Sequence, residues 1–335
     1  MKHRFCTALV LLVVLATIFT GTAFAADYGK TTIKIGMAGT EHGVDYIAAL
    51  HFKELVEKAT DGKIKVQVFP NNILSGGNQA ESINLLTQGG AMDMGIFSAA
   101  VFSNLNSAFQ VCMLPFIFKD YAEVNARLDG GGNEYITDML KNYGLVNLGA
   151  MHYGIKQWTN NKSEKRTPAD FTHFKMRIPG GEVSVMTWKA FGADPISMSW
   201  SEVYTALQQG IVDGYEGSYQ GAYSANIHEI QKYFTEANYI YDGYWLVANK
   251  KSWDKYTPDL QALLTKLGDE AVRYGRKYLE DDEIRIKQEL IERGNIITEL
   301  TPEERQAFVD ATESVRAYFL EKFGKEAFDA WGIKY

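Results

Sequence analysis

Two short segments alternate apolar and polar residues with a period of two: Thr32-Ile-Lys-Ile-Gly36, and Ile64-Lys-Val-Gln-Val-Phe69 closed by Pro70-Asn71. That period sends every second side chain to one face and predicts half-buried strands. Between them Ile47, Leu50, Leu55 and Val56 recur at helical spacing, which predicts a helix over residues 42–60 ended by Gly62. A second helix over 78–88 and a strand over 92–97 follow. Strands alternating with helices are the pattern of an α/β unit on a mostly parallel sheet. The pattern resumes after Gly144, with strands over 146–152, 175–178 and 214–216, helices over 183–191 and 200–209, and an aromatic, β-branched stretch over 239–248 that reads as a long strand or a crossing segment. The least ambiguous helix covers 258–293, where Leu260, Leu263, Leu264, Leu267, Ala271, Tyr274 and Tyr278 form one stripe. At ~1.5 Å per residue it reaches about 50 Å, longer than one lobe is wide, so it should brace two. A last helix is predicted over 302–323, with Thr301 and Glu304 as a capping box.

Length agrees with two lobes, because 335 residues exceed what one core usually organises. Residues 1–25 read as a secretory signal peptide: Lys2 and Arg4, an apolar run over 8–19 too short to span a bilayer, then Ala23-Phe24-Ala25 as a cleavage site. Cys6 lies ahead of the apolar run, where no lipid-attachment cysteine belongs, so a soluble exported protein cut before Ala26 is expected. Cys112 is then the one thiol of the mature chain, and among Val111, Met113 and Leu114 it reads as a small buried hydrophobe. The formal charge of −7 becomes more negative when Lys2 and Arg4 leave with the signal peptide. It argues against nucleic acid and anionic lipid as partners, and an anionic small ligand would need a local positive cluster.

No motif asks for an enzyme. Gly130-Gly-Gly132 follows no predicted strand and lacks phosphate-loop spacing, and Gly217-Ser-Tyr-Gln-Gly221 has the wrong spacing for a nucleophile elbow. His228-Glu229 has no second histidine four residues on, and His42, His51, His152 and His173 are scattered. The acidic run Glu280-Asp281-Asp282-Glu283 reads as a solvated helix face. Arg177 is more pointed. In Lys175-Met-Arg-Ile-Pro-Gly180 strand alternation sends it opposite to Met176 and Ile178, so if those two face a core, Arg177 faces solvent or a cleft.

The block from Lys175 to Gly217 resembles the DctP-like family, the extracytoplasmic solute-binding proteins of TRAP transporters. The resemblance rests on Lys175-Met-Arg-Ile-Pro179, on Gly192-Ala-Asp-Pro195 and on the run from Glu202 to Glu216, with further landmarks at Leu114–Glu123 and Pro70–Met94. It covers nearly the whole mature chain. It implies an α/β, two-lobed periplasmic binding protein fold (class II-like) braced by the long helix. Lobe I would hold residues 26–152 plus about 241–281, and lobe II residues 153–240 plus about 282–335. It also implies capture of a small organic carboxylate and its delivery to TRAP membrane permease subunits. A periplasmic sensor subunit for an organic acid is the alternative, and an exported enzyme a third. No cofactor is expected, although metal-assisted carboxylate binding stays open.

The resemblance assigns Arg177 the carboxylate, which its planar fork suits. Lys156 stands where a second arginine is common, offering a point charge in place of a fork. Gly217 stands where several relatives carry Asn, which removes a donor and leaves room; Ser218 or Tyr219 would compensate. Further candidates for the cleft are Thr40, Glu41 and His42 after the first strand, Phe97 and Ser98 after the third, and Trp158, Tyr215, Glu216 and Tyr241 around the second unit. If the aromatics line the cleft, the ligand has an apolar or aromatic body. Trp200 is assigned to helix packing.

Overall fold

The computed structural model describes residues 28–335, so the signal-peptide prediction lies outside it. Its strands, in chain order, are β1 (Thr31–Met37), β2 (Ile64–Phe69), β3 (Met94–Ser98), β4 (Leu145–Ile155), β5 (Gln157–Asn160), β6 (Lys175–Ile178), β7 (Asp194–Ser197), β8 (Gly214–Gly217), β9 (Tyr233–Glu236), β10 (Tyr241–Asn249) and β11 (Ile296–Glu299). They form two sheets, ordered β2-β1-β3-β10-β4 and β11-β9-β5-β8-β6-β7. This is the two-lobed α/β architecture, one sheet per lobe.

Each sheet is mixed where a mostly parallel one was expected. β10 runs antiparallel to both β3 and β4, and β5 runs antiparallel to both β8 and β9. The cause is the way the chain crosses. β4 passes through Lys156 straight into β5, and β9 returns to β10 within a few residues. A strand that leaves one sheet and enters the next without turning back arrives against the direction of its new neighbours. The two crossings are bonded to each other: Lys156 N–H donates to Ile240 O at 2.8 Å. They form the hinge.

The alternating strands bury the face their period assigns, with Ile64 and Val66 inside and Lys65 and Gln67 exposed. β10 has all nine residues buried because it is a central strand covered on both sides. The helix Val44–Ala59 packs Ala48, Phe52 and Val56 inward, whereas Leu50 is exposed. The long helix spans Pro258–Glu292, 35 residues. Its buried stripe runs through Leu260, Leu264, Leu267, Ala271, Gly275, Leu279, Glu283 and Ile286, while Tyr274 is exposed. The acidic run is therefore not a solvated face, since Asp282 and Glu283 are buried. Glu283 accepts from Tyr121 Oη at 2.7 Å where the helix passes the hinge. The predicted last helix is broken into Pro302–Ala311 and Glu313–Phe323 at Thr312, whose amide tightens back to Val309 O instead of continuing the α pattern. The Thr301–Glu304 capping box is present, and Cys112 is buried.

Candidate functional site

A narrow cavity lies between the sheets, with about 40 Å³ open to the centre of a water molecule. Its mouth is held shut by bonds across the cleft: Thr40 Oγ1 donates to Ser224 O (3.2 Å), Gln220 Nε2 to His42 O (2.7 Å), and Ser201 Oγ to Gly77 O (3.1 Å). Gln79 Nε2 reaches Pro179 O at 3.5 Å.

Arg177 enters the cavity from β6 and is 2% exposed. Its strand ends in Pro179-Gly180-Gly181, where positive φ values of 116° and 88° require the two glycines and turn the chain into the helix Glu182–Ala190. One guanidinium nitrogen, Nη2, donates to Met198 O at 2.8 Å; Nε has no partner. The Trp200 ring lies 5.5 Å and the Tyr215 ring 6.0 Å from Cζ, a flat aromatic seat for the cation. Among the described residues no carboxylate stands within ion-pair distance of Arg177. Burial lowers its hold on the proton, although an arginine starts so high that it stays charged. A buried cation with an idle donor facing a cavity is costly until an anion arrives.

Lys156 is equally buried and lines the same cavity, but its charge is met. Nζ lies 3.1 Å from Glu216 Oε1 and 3.6 Å from Asp242 Oδ2. Glu216 comes from the second sheet and Asp242 from the first, so the triad ties both lobes at the hinge. Glu216 spends its other oxygen on Trp188 Nε1 at 2.6 Å. The expected ligand contact of Glu216 is thus replaced by two internal ones.

The remaining expectations divide by place. Ser98 lines the cavity. Thr40 and His42 close its mouth through the bonds above, and Glu41 is exposed beside them. Tyr215 is fully buried behind the wall, its hydroxyl 2.7 Å from that of Tyr153, a cavity residue. Those hydroxyls fill the space at Gly217, where any side chain would collide with both, so no room is left for the ligand there. Ser218 caps the helix Tyr219–Ser224 by accepting from Gly221 N at 3.0 Å. Four aromatics are core: Phe97 lies edge-on to Phe102, Trp158 packs among Phe171, Trp188, Tyr239 and Phe308, Tyr219 stacks on Phe234, and Tyr241 donates toward Met151 O. These four give no support to an apolar or aromatic ligand body; the rings that line the cavity are Tyr153, Trp200 and Tyr244.

The model of the bacterial extracellular solute-binding proteins of family 7 (DctP) matches residues 35–322. The chain belongs to that family. It is 31% identical to the C4-dicarboxylate-binding periplasmic protein DctP of Shewanella loihica, over 97% of this chain and 96% of the relative. It is 30% identical to the 2,3-diketo-L-gulonate-binding periplasmic protein YiaO of Escherichia coli, over 96% and 95%. Among solved structures, a TRAP periplasmic solute-binding protein from Ralstonia eutropha with bound (S)-2-acetolactate superposes with a TM-score of 0.87 at 26% identity, covering 90% of this chain and 98% of that one.

The cavity of this family 7 binding protein is also lined by residues that the sequence did not single out. Trp200 packs against the core of the second lobe, as expected, and is also a wall of the Arg177 seat. Asp45 and Asp242 both line the cavity almost fully buried, and burial raises each to about 6, against the pull of backbone amides at Asp45 and of Lys156 at Asp242. Asp242 had a signal: it is an acid inside an otherwise apolar strand, a position that demands a partner. Asp45 had none, since an acid in the first turn of a helix is ordinary. Tyr153, Tyr244, Gln79 and Gln220 also line the cavity. Among the described residues no group of three or more His, Cys, Asp or Glu could hold a metal ion, and no helix is long and apolar enough to cross a membrane.

Proposed function

We propose that this binding protein is exported to the periplasm, captures a small organic acid between its lobes, and delivers it to the membrane permease of a TRAP transporter. Arg177 takes the carboxylate. The observation that carries this is the unpartnered Nε of a fully buried arginine facing the cavity. A carboxylate there completes a charge-assisted pair that the protein itself omits. The relatives and the structural neighbour are named for binding a C4-dicarboxylate, a diketo sugar acid and a hydroxy-keto acid, and each carries a carboxylate. Catalysis has no support in the site, and no metal is needed for the pairing. Lys156 sets the hinge and the cavity's shape, and it does not serve as a second clamp.

The test is Arg177→Met in differential scanning fluorimetry with the acid identified by mass spectrometry of the copurified ligand. Wild type gains thermal stability with that acid and the variant gains none. An equal gain in the variant overturns the assignment of Arg177.

A further inference from the structure

We propose that the cleft selects a compact monocarboxylate bearing a hydroxyl or ammonium donor and rejects dicarboxylates, with Asp242 as the discriminating residue. This rests on Arg177 being the partner of the first carboxylate.

The two walls of the cavity carry opposite signs. Arg177 projects from the second sheet, while Asp45 and Asp242 belong to the helix and strand of the first. The one other buried cation lining the cavity, Lys156, is already held by Glu216 and Asp242, so it is not free to take a second carboxylate. Ionised, the acids Asp45, Asp242 and Glu216 outnumber the cations Arg177 and Lys156. A dicarboxylate would add two negative charges with a cation for one of them, in a narrow cleft whose buried walls screen repulsion poorly.

Asp242 also has something to offer. It is 2% exposed, and its Oδ1 has no hydrogen-bond partner. The hydroxyl of Ser98, also in the lining, and the Ala100 amide favour its charged form without making that bond. A buried carboxylate oxygen left single is a site for a donor. Asp45 is different, because its oxygens already accept from the Gly39 and Tyr46 amides at 2.9 and 3.0 Å. A ligand hydroxyl or ammonium would therefore meet Asp242, across from its carboxylate on Arg177. The cavity volume of about 40 Å³ suits a short acid, a single water requiring roughly 10–15 Å³ on that measure.

Calorimetry on protein stripped of ligand by unfolding and refolding tests this with two matched sets: lactate, alanine, propionate and malonate, then 2-hydroxybutyrate, 2-aminobutyrate, butyrate and succinate. The better of the hydroxy and amino acids should bind about tenfold tighter than the plain monoacid and about a hundredfold tighter than the dicarboxylate; which of the two wins identifies the donor. Asp242→Asn should shrink the gap to the dicarboxylate by about tenfold, its ligand-free melting point reporting whether it folds. A dicarboxylate or plain monoacid that binds wild type as tightly as its substituted partner overturns the proposal and leaves the role of Arg177 standing. If no acid in either set binds while the copurified acid does, the proposal of a compact acid is overturned and the role of Arg177 stands; if the copurified molecule carries no carboxylate, both fall.

Discussion

Arg177 and Lys156 line the same cavity and are buried to the same degree, yet one has no anionic partner and the other has two. Lys156 sits where the crossing strands meet, and its partners come from both sheets, so its charge is part of the frame. Arg177 sits on a strand of the second lobe with a backbone carbonyl and two aromatic faces for company. Burial and charge type do not tell a binding cation from a structural one; the inventory of partners does. A compensated charge loses its compensation on mutation, whereas an uncompensated one is relieved by mutation and satisfied by ligand.

Replacing each cation breaks or sharpens that contrast. Lys156→Met leaves Glu216 and Asp242 buried without their cation and should lower the ligand-free stability by ~3–5 kcal/mol, read by urea denaturation. Arg177→Met should leave ligand-free stability unchanged or raised, while abolishing a binding contribution of ~3 kcal/mol or more, about a hundredfold in affinity. If Lys156→Met keeps its stability and loses binding as Arg177→Met does, the two residues share one role and the contrast fails.

Glu283 gives a pH-dependent effect at the same hinge. Burial raises it to about 7 from an ordinary 4.5, partly offset by Tyr121 and the amides that start the helix Tyr219–Ser224. Between those values the folded chain keeps a proton that the unfolded chain has lost, so its contribution is intact at low pH and falls as pH rises. Glu283→Gln should flatten the melting profile from pH 4.5 to 7 relative to wild type, with a gain on the order of 3 kcal/mol at its upper end. A variant profile parallel to wild type would mean the carboxyl titrates normally. A smaller effect is expected at the aromatic seat: Trp200→Ala should weaken acid binding by about tenfold, the size of a desolvated cation–π contact, with little change in folding. Dialysis against EDTA should leave affinity unchanged, and a loss would show that a metal ion assists the carboxylate.

Periodicity along the chain determined much of this protein: the strands over 64–69 and 175–178, the long helix, the capping box at Thr301, and the opposition of Arg177 to Met176 and Ile178. These are local facts, set by alternation, turn residues and caps within a few positions. Length and the long helix pointed to two lobes, and the family resemblance supplied the role proposed for Arg177. Which aromatics face the cleft was not legible, because Trp158 and Trp200 look alike until sheets pack: one is walled in by five rings, the other stands over a guanidinium. Nor was the fate of Lys156, whose partners lie 60 and 86 residues away in sequence. Charge pairing inside a closed cleft depends on distances between lobes, and only the tertiary structure sets those.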